Sequence, residues 1–279
     1  MSPELILSDW LADALARTRR RPLIVGICGA QGSGKSTLAE ALARRFPRTA
    51  IVSLDDLYLT RAERVALAQS RHPLFATRGV PGTHDIALGI ATLDTLRAGE
   101  PTRLPRFDKA SDDRASPDAW PEACAPCDLV IFEGWCVGAV PQAEEALAEP
   151  VNDLERSEDP DARWRRTVNA ALAGPYQDLF ARLDLLILLA APDWDTVGRW
   201  RQEQESDLRR TAGEGVGLMD EAAIARFVQH YERLTRHILQ EMPGRADMVL
   251  RLSADRSCRG IESAPSRQEG LPAADLSAT

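Results

Sequence analysis

Gly29-Ala30-Gln31-Gly32-Ser33-Gly34-Lys35-Ser36-Thr37 fills the pattern G-x-x-x-x-G-K-[ST] at every fixed position. The pattern has meaning only in context, and both flanks supply it. Leu23-Ile24-Val25-Gly26-Ile27-Cys28 before it is a short apolar run rich in β-branched residues, and Leu38 to Arg45 after it reads as a helix. Strand, glycine-rich turn and helix is the arrangement in which backbone N–H groups and a helix N-terminus surround a phosphate chain. Lys35 then reaches the β- and γ-phosphates and Ser36 ligates Mg²⁺. The stretch reads as a triphosphate cradle; a chance glycine-rich turn would not need both flanks.

Four further apolar runs extend the sheet. Thr49 to Leu54 ends at Asp55-Asp56-Leu57-Tyr58, and Asp128 to Phe132 stops at Glu133-Gly134-Trp135. Leu185 to Ala190 and Met248 to Leu252 complete an α/β reading with a central five-stranded parallel sheet flanked by helices. Ligands of such sheets bind outside the carboxyl ends of the strands, so Asp55, Asp56 and Glu133 face the same crevice as the cradle. A carboxylate directly after a buried strand suits Mg²⁺, held directly or through a water, which favours Glu133 over a merely solvated terminal Glu.

Helical spacing marks Glu4 to Arg19, Arg61 to Ser70, Ile86 to Arg97, and Arg163 to Leu183 with a break at Gly174-Pro175. Pro192-Asp193 opens another helix, with Trp194, Val197 and Trp200 as its packing stripe. Its outward Arg199, Arg201, Arg209 and Arg210 are either solvated or the arms of a closing helical lid. A long helix from Asp220 packs Ile224, Phe227, Val228, Tyr231, Leu234 and Ile238 into the core, and His230 at the stripe's edge reads as a packed or surface histidine. Gly138 to Asp161 is acidic and alanine-rich, a solvated segment with no visible chemistry. Residues 1–260 are expected to form one domain with an N-terminal helix over 1–20 and a lid region over about 193–217, including a glycine hinge after Thr211; 261–279 is expected to be disordered.

Composition narrows the partners. A net charge of −8 with a pI near 5.2 argues against nucleic acid and against an anionic membrane surface. The first 20 residues lack a signal-peptide pattern and no run reaches membrane-spanning length, which points to the cytoplasm. Cys124-Ala125-Pro126-Cys127 has the spacing of half a zinc site or a redox pair, but no second ligand pair accompanies it, so inert thiols are the default.

An acidic chain that takes a small anionic substrate needs a local basic pocket. Of 34 basic residues only Lys35 and Lys109 are lysines, so 34 − 2 = 32 are arginines. Lys35 belongs to the cradle, which makes Lys109 either a functional point charge or a chance surface survivor. Arg78-Gly79-Val80-Pro81-Gly82-Thr83-His84-Asp85 has a backbone shape set by two glycines and a proline, with polar side chains to offer. His84 and Asp85 also suit the start of the helix that follows.

These stretches, with Pro105-Arg106-Phe107-Asp108-Lys109 and Phe132-Glu133-Gly134-Trp135, resemble the plant-type D-glycerate 3-kinases and their fungal and bacterial relatives. That branch sits among the phosphate-loop kinases with uridine kinase, phosphoribulokinase and pantothenate kinase. The resemblance runs in order from about Leu23 to Arg201 and more loosely to Tyr231. It implies ATP, Mg²⁺ and transfer of the γ-phosphoryl group to a hydroxyl of a small acceptor, an anionic hydroxy acid such as D-glycerate. It places Asp55 as the acceptor of the hydroxyl proton, Ser36, Glu133 and Asp55 about the metal, and Asp56, Tyr58, Arg78, His84, Asp85 and Lys109 about the acceptor. Leu57, Phe107 and Ala110 depart from the branch, which has an aromatic, a Tyr and a Ser there. A nucleoside or pantothenate kinase is the nearest rival, although 5% aromatic content offers little stacking surface. An ATP-binding regulator is the rival of another class; an Asn-Lys-x-Asp guanine element is missing, since Asn152 and Asn169 precede no lysine.

Overall fold

The computed structural model describes residues 3–211 and 221–263. Eight strands form in chain order: β1 (Leu23–Gly29), β2 (Thr49–Ser53), β3 (Phe107–Asp108), β4 (Asp113–Arg114), β5 (Leu129–Gly134), β6 (Leu185–Ala190), β7 (Met248–Leu252) and β8 (Cys258–Ser263). The helices are α1 (Pro3–Arg17), α2 (Lys35–Arg45), α3 (Arg61–Ser70), α4 (Ile86–Arg97), α5 (Asp153–Glu158), α6 (Arg163–Ala173), α7 (Pro175–Phe180), α8 (Trp194–Thr211) and α9 (Glu221–Glu241).

The main sheet runs β2-β5-β1-β6-β7-β8, with the first five strands parallel and β8 antiparallel to β7. The five expected parallel strands are present; β8 is a sixth, and it occupies 261–263 of the tail expected to be disordered. Its sequence hides it. Cys-Arg-Gly-Ile-Glu-Ser is a mostly exposed edge strand without the apolar run that marks a buried one. The rest of that tail lies outside the described residues, as does most of the glycine hinge after Thr211.

Every residue of β1, β5 and β6 is buried, so alternate side chains feed two cores. Ile24, Val130 and Phe132 join Leu57 of the turn after β2 and Leu93, Leu179 and Ile238, drawn from α4, α7 and α9, on one face. Val25, Ile27 and Ile131 join Leu7, Leu11, Leu42 and Trp200, drawn from α1, α2 and α8 on the other. Burial of an aliphatic side chain is worth about 1.5–3 kcal/mol, which makes these two layers the main support of the crevice above β1 and β5.

Gly138 to Asp161 corrects the sequence reading. Glu155 and Asp159 are fully buried. Arg233 of α9 meets Glu155 at 2.6 Å, and Arg165 of α6 meets Asp159 at 3.0 Å. Both guanidiniums also donate to backbone carbonyls, at Ala146 and Glu149 and at Leu147 and Ala148. An acidic stretch looks solvated until the arginines that neutralise it come from distant helices. Among the described residues, no helix is long and apolar enough to cross a membrane.

Candidate active site

The phosphate loop leaves β1 and closes on the first turn of α2. Gly32 adopts φ 75°, and a Cβ there would lie 2.7 Å from the Trp200 Cβ, so glycine lets α8 seat directly on the loop. Arg256 holds the loop from outside. Its Nε donates to the Gly32 carbonyl at 2.7 Å, and its guanidinium lies 5.2 Å from the Trp200 ring.

β5 lies between β1 and β2, and its register sets Glu133 opposite Ser53. Glu133 is 4% exposed. Its Oε1 accepts from Ser36 Oγ at 3.1 Å and from Ser53 Oγ at 2.7 Å, while Oε2 is buried without a partner among the described residues. A buried carboxylate oxygen left uncompensated beside the cradle's serine is costly alone and fits a hard cation with oxygen ligands. Ser36 and Glu133 therefore fit Mg²⁺.

Asp55 sits differently. It lies just after β2, where Oδ1 accepts from the Tyr58 hydroxyl at 2.9 Å and Oδ2 from Lys109 Nζ at 2.9 Å. Burial alone would raise its pKa. The charges of Lys109 and Lys35 and the two hydrogen bonds outweigh burial and hold the carboxyl well below the usual carboxylate range. Both oxygens are thus engaged, which sets Asp55 apart from the Ser36 and Glu133 pair.

Asp56 turns away to a bracing role. Oδ1 accepts the Phe107 N–H at 3.0 Å and Oδ2 pairs with Arg106 at 3.3 Å, which ties β3 to the end of β2. Burial holds its pKa above the usual value.

The loop from Arg78 to Asp85 is shaped from beneath by rings. Trp135 Nε1 donates to the Gly79 carbonyl at 2.9 Å, and Tyr231 donates to the Arg78 carbonyl at 3.2 Å. Gly79 has φ 139°, and a Cβ there would run into the Tyr231 hydroxyl. The Gln31 side chain acts on the same hydroxyl, so Tyr231 stands between the phosphate loop and this second loop.

His84, 4% exposed, stacks on Tyr58 at 4.6 Å, and its Nδ1 lies 2.5 Å from the Tyr176 hydroxyl. Tyr176 also receives the Gly82 N–H at 3.0 Å. Burial pushes the His84 pKa down to about 3, so the ring is neutral at physiological pH. An Nδ1 that accepts the Tyr176 proton leaves the ring's own proton on Nε2, which is buried without a partner among the described residues.

The cations of this side are already paired. Arg78 bonds to Asp112 and lies 5.5 Å over Phe107, with Arg64 5.8 Å from the same ring. Asp85 caps α4 by accepting from Leu88 N at 3.0 Å, as the capping alternative anticipates, and pairs with Arg114 at 3.0 Å. Lys109, with a side chain 61% exposed, is the most open of them. In α8, Arg199 turns back to Thr196 Oγ1 at 2.8 Å, and Arg201 lies 5.4 Å over Phe227. The side chains of Arg209 and Arg210 lie outside the described residues.

Sequence reading misses Tyr176, Arg114 and Arg256, and it gives Trp135 only as part of a motif and Tyr231 only as a core residue. One signal was available. The chain has three tyrosines, and Tyr58, Tyr176 and Tyr231 all line this region, just as its two lysines do.

The sequence profile of the Phosphoribulokinase / Uridine kinase family matches residues 24–149. An uncharacterized kinase of Schizosaccharomyces pombe, mug58, is 37% identical over 230 residues, 76% of this chain and 79% of that protein. The chloroplastic D-glycerate 3-kinase of Arabidopsis thaliana is 30% identical over 244 residues, 81% of this chain and 50% of that protein. Among solved structures, the D-glycerate 3-kinase of Cryptococcus neoformans var. grubii superposes with a TM-score of 0.78 at 26% identity, covering 94% of this chain and 99% of that one.

Proposed function

This chain belongs to the phosphoribulokinase and uridine kinase family of phosphate-loop kinases, on its glycerate 3-kinase-like branch, and from that premise we propose that its acceptor is D-glycerate and its product 3-phosphoglycerate. It is an ATP-dependent phosphotransferase acting on a hydroxyl group. The observation that carries the choice of acceptor is Lys109, an exposed ammonium 2.9 Å from Asp55 in a chain whose other basic residues outside the phosphate loop are arginines and four histidines. Tyr58, His84 and Tyr176 are buried against one another, so their faces are not open to a nucleobase. That favours a small polar acceptor over a nucleoside.

Phosphoryl transfer asks the protein for positioning and charge more than for covalent chemistry. The loop from Gly29 to Thr37 and Lys35 hold the donor phosphates. Ser36 and Glu133 would hold Mg²⁺, which would supply charge neutralisation to the donor phosphates. Asp55 orients the attacking hydroxyl and takes its proton. An acceptor carboxylate competes with Asp55 for Lys109, so binding itself uncovers the oxygen that must receive the proton. The His84 Nε2–H supplies a neutral donor to a second acceptor oxygen, with Arg78 nearby once it exchanges Asp112. Asp56, Tyr58 and Asp85 hold the walls. Arg199 and Arg201 sit on α8, which packs on the phosphate loop through Trp200, and act there as the arms of a lid over the donor side, with residues 1–260 working as one kinase domain.

A panel of small hydroxy acids, sugars and nucleosides, scored by stimulated ADP release, tests the proposal. D-glycerate should stimulate most. Stimulation by a nucleoside or by pantothenate, with D-glycerate inert, would transfer the chain to a neighbouring kinase specificity.

A further inference from the structure

Cys124 and Cys127 play no part in the phosphoryl chemistry, yet their placement is specific. The two Sγ atoms lie 2.6 Å apart, and Cys127 Sγ also donates to the Cys124 carbonyl at 2.6 Å. Both are free thiols.

The frame around the pair is held on both sides. Ala123 N donates to the Thr102 carbonyl at 2.8 Å, Arg48 donates to the Pro126 carbonyl at 2.6 Å, and Asp128 N donates to the Arg48 carbonyl at 2.8 Å. Access is one-sided. Cys124 is partly exposed and followed by the exposed Ala125 and Pro126, whereas Cys127 is 2% exposed. Burial and the adjacent Cys124 push the Cys127 thiol up to about 12. No third His, Cys, Asp or Glu joins them in a metal-binding group among the described residues, which leaves sulfur chemistry rather than a metal.

We propose that Cys124 and Cys127 form a thiol–disulfide exchange site for small disulfides, with Cys124 as the entry thiol and Cys127 as the resolving thiol. In the first step the Cys124 thiolate attacks one sulfur of a low-molecular-weight disulfide such as oxidised glutathione. That S–S bond breaks, one small thiolate leaves, and a mixed disulfide forms on Cys124. Cys127 then attacks the Cys124 sulfur as its proton passes to the first small thiolate, the bond from Cys124 to the second small sulfur breaks, and that sulfur leaves as a thiolate that takes up the proton Cys124 released. Two protein thiols are oxidised and one small disulfide is reduced to two thiols. The site lies before β5, whereas Glu133 lies near the other end of that strand, so this chemistry is separate from the kinase reaction.

The test equilibrates the full chain with defined ratios of oxidised to reduced glutathione, quenches with acid and alkylating agent, and reads the peptide spanning residues 124–127 by mass spectrometry. The wild type should lose two hydrogens at this peptide and carry no glutathionyl adduct. Cys127→Ala should trap a stable glutathionyl adduct on Cys124, and Cys124→Ala should leave Cys127 unmodified. Cys28 and Cys136, fully buried, serve as internal controls. The proposal is overturned if both thiols remain alkylatable at every ratio, or if the wild type accumulates the adduct on Cys124 without the internal disulfide. Either outcome is independent of which acceptor the kinase uses.

Discussion

Replacing Lys109 with methionine separates the stability of the Lys109–Asp55 pair from its part in binding. The side chains are 61% and 36% exposed, and a pair so open to water is worth about 0–1 kcal/mol to folding. In a chain of this size that corresponds to a melting-temperature change of at most about 4 °C. Acceptor binding should respond far more. A charge-assisted hydrogen bond to a carboxylate contributes about 1.5–3 kcal/mol. Its loss raises the acceptor KM by about 10- to 150-fold. The KM for ATP should stay near that of the wild type, because the proposed donor contacts run through Lys35 and the loop. The pH profile should also move. Lys109 is a principal cause of the depressed Asp55 pKa, and burial opposes it. Without Lys109 the carboxyl titrates higher, so the acid limb of kcat/KM shifts upward in pH. Steady-state ADP release at varied acceptor, ATP and pH measures all three. A raised KM for ATP with an unchanged acceptor KM would refute the assignment, as would a melting-temperature loss of more than about 10 °C.

Glu133→Ala removes the buried carboxylate beside Ser36, and a Mg²⁺ titration of activity should show an apparent affinity weakened by about 10- to 100-fold. Gly79→Ala places a methyl against Tyr231 at φ 139° and should cost more than about 1 kcal/mol in denaturant unfolding, with the acceptor KM affected as well. Glu155→Ala strands the buried Arg233 and should cost about 3–5 kcal/mol by the same assay, with little change in either KM. His84 and His230, held neutral by burial with pKa values near 3 and 4, bind protons more readily when unfolded. Their part of the stability should be complete above about pH 6.5 and decline as pH falls below it, read from melting temperatures across pH.

The donor half was legible because its chemistry is local. Gly29 to Thr37 is contiguous, and Glu133 could be placed by the rule that strand ends face the crevice. Lys109 emerged from composition alone. The acceptor half depends on pairings that sequence order conceals: Tyr176 reaching His84, Tyr231 standing between Gln31 and Arg78, and Asp112 taking Arg78 from 34 residues away. The basic pocket expected of an acidic protein is in fact a set of paired ions, since Asp55, Asp56, Asp85 and Asp112 each meet a cation. β8 escaped notice for a related reason, because an exposed edge strand borrows its order from β7 rather than from its own apolar content.

In the proposed two-sided site, Lys35 and the phosphate loop deliver a phosphoryl group to a hydroxyl oriented by Asp55. Phosphorus NMR of the products formed from ATP and D-glycerate, with wild type and Asp55→Asn side by side, tests it most directly. The wild type should yield ADP and 3-phosphoglycerate in equal amounts. Asp55→Asn should bind ATP yet turn over about 10²- to 10⁴-fold more slowly. ADP appearing with inorganic phosphate and no phosphorylated acceptor, or Asp55→Asn turning over at the wild-type rate, would contradict it.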